Sequence, residues 1–107
     1  MSKRPNRLDA LRETAPKLVE LTEQVAYADV WERPELSKRD RSLITAAGLV
    51  AMNRERQLTG HLNRALDNGV TREELIEAIT HMAFYSGWPT ALTAAAIAKD
   101  VFEARED

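Results

Sequence analysis

The chain has 107 residues, 15 basic and 17 acidic side chains, a formal net charge of −2, two His and no Cys. A chain this short has room for one core and buries only about 60–65% of its unfolded surface, so it is read as a single domain over 1–107 that leans on partner subunits. The lack of Cys excludes disulfides, thiolate-held zinc, Fe–S clusters and redox dithiols, and the balanced charge gives nucleic-acid binding no electrostatic footing.

No apolar run approaches the roughly 18 residues that span a bilayer. Residues 1–7 are basic, but no apolar segment follows as a secretory signal requires, so a cytoplasmic protein is expected, with 1–8 as a flexible tail. Pro16 suits the first turn of a helix in which Leu18, Leu21, Val25 and Ala28 recur at helical spacing. That pattern breaks at Trp31-Glu32-Arg33-Pro34, an extended connector. Ser37 caps the next helix, with Asp40 in its first turn and an apolar face of Leu43, Ile44, Ala47, Val50 and Ala51. Asn53 ends it. Leu58, Leu62, Ala65 and Leu66 form a third stripe that stops at Asn68-Gly69 in a C-cap pattern. Thr71 and Glu74 then make a capping box, with Val70 and Leu75 at the staple positions. The fourth helix carries Leu75, Ile76, Ile79, Met82 and Ala83 to Ser86-Gly87. Trp88-Pro89 opens the last, with Leu92, Ala95, Ala96 and Phe102 as its apolar side and alanines at 91, 94, 95, 96 and 98 keeping it slim.

Several of these segments, in this order and spacing, resemble the carboxymuconolactone decarboxylase family of the alkylhydroperoxidase D-like superfamily. They are Trp31-Glu32-Arg33-Pro34, Leu36-Ser37 with Arg41-Ser42-Leu43, His61 with Ala65-Leu66, Asn68-Gly69-Val70-Thr71 with Glu73, Glu74 and Glu77, and His81 with Tyr85-Ser86-Gly87-Trp88-Pro89-Thr90-Ala91. The resemblance runs from residue 30 to about 101. It implies an all-α bundle of five to six helices that assembles as an oligomer, a trimer or hexamer in particular. The superfamily's peroxidases carry Cys-x-x-Cys, then three residues and a His, with an upstream relay Glu. Aligned on His61, the thiol positions fall on Arg54 and Gln57 and the relay on Ser42. A peroxidatic cycle needs a thiolate to oxidise and a second thiol to resolve it, so this chain is no thiol peroxidase.

The resemblance instead implies a cofactor-free lyase that decarboxylates 4-carboxymuconolactone in aromatic-compound breakdown. Such a site holds carboxylates, stabilises an enolate and returns a proton to carbon. His61 is the candidate general acid/base, because imidazole titrates near neutrality. His81 shares a helix face with Glu77 and Tyr85, which orients an imidazole or forms a polar seam between subunits. Arg41 suits bidentate capture of a carboxylate, with Ser42 beside it. Tyr85 offers a hydroxyl and Trp88 an apolar wall. Glu73 and Glu74 are explained by the helix start. Neither His has metal-ligand spacing, so no metal is expected. Two other readings stand beside the lyase: a lactone hydrolase or isomerase in the same scaffold, and a non-catalytic oligomeric binder. Glu35, where the family more often has Gly, and the bulky Trp88 favour caution about substrate.

Overall fold

The computed structural model of the chain describes residues 7–106. Most of the tail expected over 1–8 lies outside that range, and Arg7 already opens a helix. All regular structure among the described residues is helical: α1 (Arg7–Leu11), α2 (Pro16–Leu21), α3 (Lys38–Ala51), α4 (Glu55–Asp67), α5 (Arg72–Ser86) and α6 (Trp88–Ala104). The chain divides into two compact units, Met1–Glu35 and Leu36–Asp107.

In the first unit Pro16 sits in the opening turn of α2, where its missing N–H costs no helical bond. The helix runs on as a π-helical stretch, Thr22–Tyr27, closed by the Ala28 amide donating to the Glu23 carbonyl at 3.0 Å. A short 3-10 turn, Val30–Glu32, follows, and Trp31 lies 5.8 Å from Tyr27, ring centre to ring centre. Arg12 donates to both carboxylate oxygens of Glu23, at 2.9 and 2.8 Å, and to Asp9. The expected stripe does not form an inward face. Val19 is buried, whereas Leu18, Leu21 and Val25 are exposed. For Val25 the wider π turns beyond Thr22 break the three-and-four spacing, and the unit as a whole is too short to enclose a core around Leu18 and Leu21.

In the second unit α3 packs against α4 and α5, and α6 packs against the same two, so α4 and α5 stand on opposite sides of the α3–α6 pair. Ser37 caps α3 by accepting from the Asp40 amide at 3.0 Å. α3 ends at a left-handed Asn53 (φ 58°). There the Arg54 amide donates to the Leu49 carbonyl and the Asn53 amide to Val50, the paired bonds of a Schellman turn. α4 ends the same way around Gly69 (φ 100°), with Val70 donating to Ala65 and Gly69 to Leu66. Val70 is buried and so is Leu75, completing the staple beneath the Thr71–Glu74 capping box, both bonds of which are present. Gly87 (φ 107°) alone joins α5 to α6.

The core is drawn from Leu58, Leu62 and Ala65 of α4, Leu75, Ile79 and Ala83 of α5, and Ala91, Ala94, Ala98 and Val101 of α6. Two helices turn inward a face that only partly matches the one expected. In α3 Val50 is buried and Leu43 packs against the core, as expected, but Ser42 and Ala46 are buried beside them while Ile44 is exposed. In α6 Ala95 and Phe102 pack against the core, but its centre is Ala91, Ala94, Ala98 and Val101, while Leu92 is 62% exposed. One residue along a helix is about 100° around it, so the centre of each face is shifted by part of a turn. Small residues face inward because they let four helices approach closely. The larger apolar side chains were the misleading guide.

Candidate active site

His61 lies on α4 three residues after Leu58 and four before Ala65, on the flank of the buried ridge. It is half-buried and its Nδ1 atom is enclosed. Burial holds its pKa below the usual imidazole value, and the positive charge of Arg64, one turn on, lowers it further. Both effects disfavour the charged imidazolium.

The polar residues at the start of α3 are tied into the scaffold. Arg39 pairs with Asp40 and with Glu74, fastening α3 to the first turn of α5. Glu74 thus accepts from Thr71 and Arg39 together, and these bonds hold its carboxyl below the usual range. Arg41 donates from Nε to the Leu36 carbonyl at 3.1 Å. Ser42 is 1% exposed, and its hydroxyl accepts from Asn68 Nδ2 at 2.9 Å, joining the start of α3 to the end of α4. Ser42 therefore has a structural partner in the scaffold.

His81 is exposed on α5, and its ring lies 5.0 Å from that of Tyr85 at 38°. Tyr85 is 75% exposed. Trp88, 54% exposed, meets Phe84 edge to face with centroids 5.1 Å apart. The structure thus brings His81 together with Tyr85, and Trp88 with Phe84. The two histidines stand on different helices, His61 on α4 and His81 on α5, on opposite sides of the α3–α6 pair. No group of three His, Asp or Glu among the described residues is arranged to hold a metal ion, and no helix there is long and apolar enough to cross a membrane.

A cleft opens elsewhere, between the α3–α4 turn and the middle of α6. It is a shallow depression open to solvent, with room for about one water molecule. Buried Val50, Leu58 and Ala94 form its floor, and Asn53, Arg54, Glu55, Thr90 and Thr93 supply the polar rim. Leu58 belongs to this floor and lies one turn from His61. In the sequence Arg54 stands out only as the residue at a peroxidase thiol position. Nothing local in the sequence pairs it with Thr90 and Thr93, 36 and 39 positions away.

The carboxymuconolactone decarboxylase family model matches residues 16–100, a span holding every candidate named above. The chain is 44% identical over 78 residues to 4-carboxymuconolactone decarboxylase of Acinetobacter baylyi, covering 73% of this chain and 58% of that protein. It is 37% identical over 75 residues to nitrosuccinic acid decarboxylase npaB of Metarhizium robertsii, covering 70% and 52%. The chain therefore spans a little over half the length of these curated relatives. A match across most of the chain, with residues that fold into an all-helical bundle, carries one conclusion: this chain belongs to the carboxymuconolactone decarboxylase family.

Proposed function

We propose that this chain is a cofactor-independent decarboxylase of a small carboxylated acid, of the 4-carboxymuconolactone type, and that His61 handles the proton. The observation that carries the reading is the 44% identity to a protein named for that reaction. The state of His61 supports it.

The chemistry balances with side chains alone. The bond between the substrate carbon and its carboxylate breaks, carbon dioxide leaves, and the electron pair passes into the conjugated lactone carbonyl as an enolate. One proton then goes to carbon. A half-buried imidazole with a depressed pKa suits this cycle. A substrate carboxylate close to the ring favours its protonated form, since an opposite charge stabilises the ion. Carbon dioxide leaves as a neutral molecule and the negative charge passes to the enolate, a much stronger base than the carboxylate it replaces, so the imidazolium gives its proton to carbon and returns to the neutral form.

The second relative favours a broader substrate class. The acid in its name, nitrosuccinic acid, also carries a group able to take up the electron pair left by carbon dioxide. Small acids with such an acceptor are accordingly the class proposed, ahead of lactone hydrolysis or isomerisation. The bundle is further proposed to act as an assembled oligomer, in line with the exposed aromatic residues at the α5–α6 junction.

Incubating the protein with 4-carboxymuconolactone and following loss of its ultraviolet absorbance tests the activity. Turnover is expected, with kcat reduced about 100-fold or more in His61→Ala, the scale of a lost general acid. Full turnover by His61→Ala would remove the role of His61, and no turnover of any acceptor-bearing acid at high protein concentration would remove the activity.

A further inference from the structure

We infer that Asn68 is a latent modification site, a side-chain amide that its sequence disposes to become an acid, and that buried Ser42 and the turn around Gly69 hold it unreacted in the fold. The site is independent of the decarboxylase reading.

The pair Asn68-Gly69 is reactive for a chemical reason. The Gly69 amide nitrogen, once it gives its proton to a base, attacks Cγ of the Asn68 side chain. The N–Cγ bond forms, the Cγ–Nδ2 bond breaks, and Nδ2 takes up a proton and leaves as ammonia. Water then opens the cyclic imide at either carbonyl, which gives aspartate or isoaspartate. A Cβ on the following residue crowds the attacking nitrogen, and glycine has none. The chain's other asparagines, at positions 6, 53 and 63, are each followed by Arg.

Three features of the fold oppose the attack. The imide ring requires Cβ of Asn68 to lie in plane with the Gly69 nitrogen. At ψ 7° that nitrogen instead eclipses the nitrogen of Asn68 itself, which leaves Cβ about 120° away around the Cα–C bond. The attacking nitrogen is also engaged, since it donates to the Leu66 carbonyl at 3.2 Å, beside the Val70 bond to Ala65 at 2.9 Å. Turning ψ toward the ring breaks both bonds and draws Val70, 2% exposed, from the core. Finally, the leaving amide is anchored. Nδ2 donates to Ser42 Oγ at 2.9 Å, and Ser42 is 1% exposed, so water does not compete for that bond. Steric cover is not the cause, because no other part of the chain lies within 4 Å of where a Cβ on Gly69 would stand. Geometry and anchoring protect the amide.

Conversion undoes the turn that prevents it. Isoaspartate adds a carbon to the main chain before Gly69, so the two turn bonds lose their register. Aspartate puts a negative charge at the C-terminal end of α4, next to Asp67, where the helix dipole opposes it. Refolding reverses neither product, so the acid marks a chain that has opened here.

Incubating the folded full chain in mildly alkaline buffer and mapping its peptides by mass follows conversion at position 68. The same chain in guanidinium chloride gives the unguarded rate. The folded rate is expected to be about a hundredfold or more lower, the scale of a reaction that waits on local opening. Ser42→Ala is expected to raise the folded rate about fivefold, the scale of one lost hydrogen bond. Ile79→Val, which weakens the core away from this turn, should leave it unchanged. Hydrogen exchange at the Val70 amide should rise in step with conversion in Ser42→Ala. Equal rates in the folded and denatured chain overturn the guarding. So does a rate that Ser42→Ala leaves unaltered or that Ile79→Val raises as much. No conversion in guanidinium chloride removes the site itself.

Discussion

The imidazole of His61 is half withdrawn from water and has a cation one turn away, and both effects disfavour its charged form. An NMR titration of the free protein should place its pKa below the ordinary 6.5. The same shift sets a direction for stability. Between the folded pKa and 6.5 the unfolded chain binds more protons, so this contribution is fully present above 6.5 and is lost as pH falls through the folded value. Glu74, also depressed, loses its contribution only below about 4.5, through a separate window. Urea unfolding at pH 7.5 and 5.5 should therefore show a loss on acidification that is smaller in His61→Gln. An equal loss in both proteins contradicts the assignment. At this scale the sequence is a good guide where identity alone decides: a missing thiol is missing in any fold. It is a poor guide to Ser42, whose burial against Asn68 depends on how two helices meet, and to Arg54, whose neighbours on α6 come from another part of the chain.

Among the elements, the start of α5 shows how local chemistry sets a boundary. Thr71 accepts from the Glu74 amide at 3.0 Å, and Glu74 accepts in return from the Thr71 amide at 2.9 Å. Replacing Thr71 by Ala removes one half of this exchange and should lower the stability to urea unfolding by about 1 kcal/mol. No measurable change would mean that solvent caps the helix equally well. This boundary, the Gly69 turn before it and the Gly87 junction are all legible in sequence, because each is settled by residues within a few positions of one another. The inward faces of α3 and α6 are not. Ala46 and Ala98 are chosen by how closely the neighbouring helices approach, whereas Ile44 and Leu92, larger and more apolar, stay outside. The π-helical stretch after Leu21 is invisible for a related reason, since its sequence still reads as ordinary helix.

Across the described residues, large apolar side chains lie exposed on several helices, most of all at the α5–α6 junction. Phe84 is 72% exposed, and Tyr85, Trp88 and Leu92 follow it around the α5–α6 junction, with Ile44 and Ile76 on α3 and α5. Such clusters usually mark an interface. Self-association is the proposed use, and light scattering should give a mass that is a multiple of the single chain. Phe84→Ser combined with Trp88→Ser is expected to lower that mass toward one chain without loss of helical circular dichroism. A single-chain mass for the unaltered protein rules the proposal out.

The left-handed Asn53 has a consequence for which sequences the α3–α4 junction tolerates. Its turn closes with two backbone hydrogen bonds, from Asn53 to Val50 and from Arg54 to Leu49. The turn is thus held by main-chain bonds, and what it asks of the side chain is that it accept a φ of 58°. Asn and Gly accept that conformation readily, whereas a β-branched residue is strained there. The junction therefore leaves the neighbouring surface positions open to change while restricting this one.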